Sequence, residues 1–237
     1  MVDPFFRTSA TEVRDRAVYD AGLRAHMQRV FNYMAGGLAI TGLVAFLVAA
    51  TPALAAFVFG TPFRWVAMLS PLAFIIFMNV KLHSWSAAKA QTVFWIFCGA
   101  MGLSMAALFM VFTGVSVARA FFITAATFGA MSLWGYTTKR DLTGFGAFLM
   151  MGVIGLLIAM VVNLFLASAM MHWVVSVIGV FVFTGLTAYD VQNIKLTYNQ
   201  GWGEEANNKL AVTGALHLYL NFINAFQFLL SLTGDRR

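Results

Sequence analysis

Along the 237 residues, long apolar stretches alternate with short polar breaks. A membrane-crossing helix needs about 20 mostly apolar residues, with a range of roughly 17–25. Seven stretches meet that need: 33–58, 64–80, 92–113, 117–138, 144–166, 173–191 and 210–232. The pattern therefore predicts an all-α integral membrane protein, a bundle of seven transmembrane helices. It divides the chain into an N-terminal segment at 1–32, the helical domain at 33–232 and a short tail at 233–237. Pro52 lies near the end of the first stretch and bends or stops it. Pro71 sits inside the short second stretch, which a membrane helix tolerates where neighbours satisfy the freed carbonyl.

The N-terminal segment has Val18, Leu23, Met27, Val30 and Phe31 among Arg and Asp residues. Two readings fit: an amphipathic helix lying on the inner leaflet, or a solvated lead-in to the first crossing. With no short apolar run ahead of a small-residue cleavage site, the first crossing is expected to act as an uncleaved insertion signal.

Composition changes the solvent. Hydrophobic residues make up 61% of the chain and charged residues 10%, against about 25% charged in a soluble domain. Too little polar surface remains to wet a globule of this size, so the surroundings are lipid. The net charge of +6 does not point to nucleic acid, because the basic residues stand singly between apolar stretches. Their role is topological. With the N-terminus in the cytoplasm, eleven fall on the inner side (Arg7, Arg14, Arg16, Arg24, Arg29, Lys81, Lys89, Lys139, Arg140, Lys195, Lys209). Four fall outside: Arg64, Arg119, Arg236 and Arg237. The positive-inside rule thus predicts a cytoplasmic N-terminus and an outside C-terminus. Cys98 stands alone in an apolar stretch, which gives neither a disulfide nor a metal cluster.

Ionisable groups at membrane depth are costly and mark candidate sites. Eight of the nine acids lie in termini or loops; Asp190, near the end of the sixth stretch, is the exception. It either marks the helix exit or faces the interior as a gating carboxylate. The seventh stretch carries His217, Asn221 and Asn224 at i, i+4 and i+7, which share one helical face. Such a face serves as interhelical glue or lines a wet path. His217 alone is a hydrogen-bonded interior histidine or a proton sensor. Lys81 snorkels to the headgroups or turns inward to pair with Asp190. Signatures of metallopeptidases, serine hydrolases and nucleotide-binding loops are absent, and the chain reads as a non-enzyme. A retinal protein needs a mid-membrane lysine on its seventh helix; here Lys209 precedes that helix.

The strings TAYDVQNIK at 187–195, GALHLYLNFINAFQFLL at 214–230 and ITAATFGAMSLWGYTTKRDLTG at 123–144 resemble the Bax inhibitor family, its bacterial branch most closely. The resemblance runs from about Ala17 to the end of the chain. It implies a seven-helix bundle with the seventh helix central and wrapped by the other six, in a bacterial inner membrane. It implies a pH-sensitive calcium leak, latched by one carboxylate on the sixth helix and one on the seventh. It requires no cofactor beyond the calcium ion, for which Asp190 is the candidate ligand. The sixth-helix acid corresponds to Asp190; the seventh-helix acid, in the pattern LYLDFIN, is replaced here by Asn221 in LYLNFIN. A basic residue that touches the pair corresponds to Lys81. Two carboxylates in contact share a proton, because both cannot be ionised side by side. Asn221 cannot ionise, but it can donate to an ionised Asp190 or accept from a protonated one.

Two functions of different kinds follow. The first is a calcium or cation leak whose pH gating is altered by Asn221. The second is a non-conducting membrane protein that modulates a stress response or a membrane quality-control protease. A small-molecule transporter is disfavoured, since no pair of interrupted helices recurs in matching halves.

Overall fold

The computed structural model describes residues 4–81 and 84–237. Eight helices follow one another: α1 (Pro4–Ala50), α2 (Pro52–Gly60), α3 (Phe63–Lys81), α4 (Ala87–Val111), α5 (Gly114–Thr137), α6 (Thr143–Leu166), α7 (Ala169–Thr197) and α8 (Gly203–Thr233). Six are each long and apolar enough to cross a membrane, and the bent pair α2–α3 makes seven if it is counted as one crossing. The fold is an all-α membrane bundle.

Local chemistry sets the helix ends. Ser86, Thr113 and Ser168 precede α4, α5 and α7, and each hydroxyl accepts the N–H three residues on, at 3.3 Å. Glu205, in the first turn of α8, accepts the N–H of Ala87 at 2.6 Å and so ties α8 to the start of α4. The first predicted stretch divides. Pro52 removes an N–H and pushes Thr51 to an extended φ/ψ of −108° and 104°, so α1 stops and α2 begins. The axes of α2 and α3 then differ by 78°. Pro71 leaves α3 unbroken. The carbonyl it orphans, that of Ala67, accepts the Ser70 hydroxyl instead at 3.4 Å.

The N-terminal segment matches neither sequence reading. Residues 1–3 lie outside the described residues; from Pro4 onward α1 runs without a break, and Leu23, Met27, Val30 and Met34 are buried in the bundle while Val18 is exposed. The apolar stripe packs on protein, not on the leaflet. Arg29 donates to Asn208 on the same level.

α8 is the central helix. Of its apolar window 56% is buried, against 17% for α6, which marks α8 as the core and α6 as the most peripheral crossing. The expectation of six wrapping helices is met only in part: α8 packs chiefly on α7, α1, α5 and α4, whereas α3 rests on α4 and α6 rests on α7. Tyr219, fully buried, fixes α8 at mid-depth. Its hydroxyl and that of Thr41 lie 2.6 Å apart, Thr41 also donates to the Cys98 carbonyl, and the rings of Phe94 and Phe97 meet its edge. At the far end the tail is strapped to the α4–α5 turn. Asp235 accepts from Ser116 at 3.1 Å and from the Thr113 N–H at 3.0 Å, and the Arg237 N–H donates to Val111.

Candidate functional site: an acid–amide pair between α7 and α8

The stretch Thr187-Ala188-Tyr189-Asp190 is held from two sides by glycines. Gly135 of α5 lies against the Ala188 backbone, so close that a Cβ there would stand 2.8 Å from the Ala188 Cα. Gly146 of α6 lies against the Tyr189 ring. Side chains larger than hydrogen would push α5 and α6 off α7, and in lipid this close approach is a main source of association.

One turn further on, Gln192 accepts the Leu142 N–H at 2.8 Å and donates to the Arg140 carbonyl at 2.7 Å. Lys195 donates to the Tyr136 carbonyl at 2.8 Å, at the C-terminal end of α5, where a cation is favoured. The end of α5 and the α5–α6 turn are thereby bolted to α7 just beyond Asp190. Asp141 in that turn accepts the Thr143 N–H and hydroxyl, at 2.9 and 2.6 Å. These two hydrogen bonds, the hydroxyl's first, hold its carboxyl below the ordinary value.

So positioned, Asp190 faces α8. The Asn221 side-chain amide donates to Asp190 Oδ2 at 2.7 Å, across the most extensive helix contact of the bundle. Asn221 is buried and Asp190 half-buried. Both line a cleft of about 500 Å³ between α6, α7 and α8, together with His217 and Asn224. The i, i+4, i+7 face of α8 thus converges on the α7 acid. Within it Asn224 is half-buried, and His217 is exposed to the cleft mouth and not enclosed in the interior.

Lys81 is not part of this site. It is exposed at the end of α3, whose neighbours are α2 and α4, and it makes no ion pair with Asp190. α3 docks on the flank of α4, away from α7, so the residue's place in the chain does not translate into contact. Among the described residues, no group of three or more His, Cys, Asp or Glu side chains is placed to hold a metal. The cleft offers one carboxylate and neutral amides, whereas calcium takes six to eight oxygens in a resident site.

Gln192, Lys195 and the two glycines are functional supports that sequence reasoning passed over. A buried amide two residues beyond the acid was the signal for Gln192.

Fold and cluster together define a class: an integral membrane helix bundle whose central helix is latched to its neighbour by one buried amide and one acid. Residues 23–237 match the family described as "Inhibitor of apoptosis-promoting Bax1". An uncharacterized protein of Rickettsia prowazekii is 40% identical over 237 residues, the full length of both chains. An uncharacterized protein of Caulobacter vibrioides is 42% identical over 228 residues, covering 92% of this chain and 91% of the relative. The inner membrane protein YbhL of Escherichia coli K12 is 40% identical over 220 residues, covering 92% and 94%. The chain belongs to the Bax inhibitor family.

Proposed function

We propose that this protein is a cation leak pathway of the Bax inhibitor type, with calcium as its cargo, in a bacterial inner membrane with the N-terminus cytoplasmic and the C-terminus outside. The observation that carries the reading is the Asn221–Asp190 hydrogen bond, which joins the central helix to an acid of α7 that lines the cleft. Parting of this bond loosens the packing of α8 on α7 and frees the second carboxylate oxygen for a passing cation. His217 and Asn224 supply further polar lining on the same wall. The inner-membrane assignment draws on the printed name of the Escherichia coli relative and on the greater number of basic residues on the N-terminal face.

In the family pattern two acids share one proton, and pH sets the latch. Here an amide replaces one acid. It donates to ionised Asp190 and accepts from protonated Asp190, so the latch persists in both states and pH gating is damped. Calcium flux into proteoliposomes tests this. Asn221→Asp should raise proton-dependent flux above wild type; equal flux with an equal pH response in the two would remove the reading. Folded protein that passes no ion in either form would favour the second reading, a non-conducting partner of a membrane protease or stress pathway. The insensitivity of an amide latch to protons is the feature that speaks for it.

A further inference from the structure

We propose that the cleft between α6 and α8 binds one membrane lipid that carries an ammonium headgroup, its chain lying along the cleft and its head at Asp190. The inference stands whether or not the protein conducts.

Helix arrangement comes first. α6 leans on α7 and has no comparable packing on α8, so the two helices form walls over a floor of α7. The walls are apolar: Val153, Leu157 and Met160 on one side, Leu220 and Phe228 on the other. Leu157 is 54% exposed at a depth where the surroundings are hydrocarbon. A cleft of about 500 Å³ open to acyl chains does not stay empty. Its apolar walls favour a chain over water.

Length and polarity then define the occupant. From Met150 to Met160 the α6 wall runs ten residues, or about 15 Å at 1.5 Å per residue. Those residues are centred on the middle of α6 (Thr143–Leu166), so the apolar wall can follow an acyl chain through the centre of the crossing. Polar groups gather toward one end of the cleft: Asn193, His217, Asp190 and Asn221, with Asn224 about one turn further along α8. That end lies at the bundle surface, because Gly135, two residues from the end of α5, abuts Ala188, and Gly146, near the start of α6, abuts Tyr189. The apolar end, with Met160 and Phe228, lies beyond the middle of α6 and of α8. A cleft polar at one end and apolar along the rest has the polarity of an amphiphile.

Charge selects the head. Asp190 Oδ2 accepts from Asn221, His217 on the same wall is its charged neighbour, and among the described residues no side chain forms a salt bridge to the carboxylate. A half-buried carboxylate with a free oxygen favours a head that brings N–H donors and positive charge, and disfavours an anionic one.

The test uses the full chain in nanodiscs of equal parts phosphatidylethanolamine and phosphatidylglycerol, with retained lipid read by native mass spectrometry. Wild type should retain one lipid, with about three-fold preference for the ethanolamine head, the size of a partly solvated ion pair. Asp190→Asn should keep the lipid and lose the preference. Leu157→Trp, at an exposed wall position, should lose the lipid while thermal unfolding is unchanged; Met150→Trp on the same wall replaces it if that variant unfolds. Equal retention of both lipids by wild type, an unaltered preference in Asp190→Asn, or a lipid kept by both wall variants would each overturn the proposal. Flux is measured separately, so headgroup selection without calcium passage would leave this inference standing while the leak reading fails.

Discussion

The bond between Asp190 and Asn221 should carry measurable coupling between α7 and α8. In membranes, interhelical hydrogen bonds average about 0.6 kcal/mol and reach about 1.7. Bonds to a charged group contribute about 1.5–3 kcal/mol in proteins generally. This bond is short at 2.7 Å, its donor is buried and its acceptor is a carboxylate. The upper membrane range applies, about 1–2 kcal/mol. Asn221→Leu alone leaves Asp190 with no hydrogen-bond partner and should destabilise by that amount or more; Asp190→Leu alone orphans the buried amide. The double variant removes both and should cost clearly less than the sum of the two. Reversible unfolding in mixed micelles, run as a four-member cycle, reads the coupling directly. If the two substitutions add within about 0.3–0.5 kcal/mol, as independent sites do, the pair is a coincidence of proximity and the latch argument fails.

Other consequences are smaller in scope. Gly135→Ala sets a Cβ against the Ala188 backbone, which cannot yield, and should destabilise by about 1–3 kcal/mol in thermal unfolding; Gly155→Ala, with open space at its Cβ, serves as the neutral control. Ala167 closes α6 with a φ of 48°, a left-handed conformation that glycine adopts without strain, so Ala167→Gly should stabilise by about 0.5–1 kcal/mol. The depressed Asp141 carboxyl stabilises the α5–α6 turn above its ordinary titration range, and that contribution disappears as pH falls through its lowered value. Asp141→Asn should therefore lower the melting temperature at neutral pH and lose its effect in strong acid. Asp235→Ala should speed amide exchange at Thr113, which donates to this residue's carbonyl beside the Ser116 anchor, and leave the α7–α8 contact unchanged.

Periodicity and charge reached far into this molecule. The apolar stretches found the crossings because lipid demands long helices whose backbone groups are satisfied internally. The i, i+4, i+7 spacing of His217, Asn221 and Asn224 placed them on one wall, and that wall meets Asp190. What escaped were relations between helices. A period gives the face of a helix, not its neighbour, so the sequence left Lys81 between snorkelling to the headgroups and pairing with Asp190; α3 docks on α4 and Lys81 is exposed. The clasp of Gly135 and Gly146 was invisible for the same reason, since glycines are common in membrane helices and only the packed bundle tells which ones touch. The N-terminal stripe of Leu23, Met27 and Val30 looked made for a leaflet, and it is buried against protein because α1 continues straight through it. Pro52 signalled a break; the 78° bend that follows depends on where α2 and α3 find support.

The measurement closest to the central claim is calcium entry into proteoliposomes at neutral and mildly acidic pH for wild type, Asp190→Ala and Asn221→Asp. If the acid–amide pair controls passage, Asp190→Ala changes basal flux, and Asn221→Asp gains a pH dependence that wild type lacks. Three folded proteins with the same flux at both pH values would contradict it.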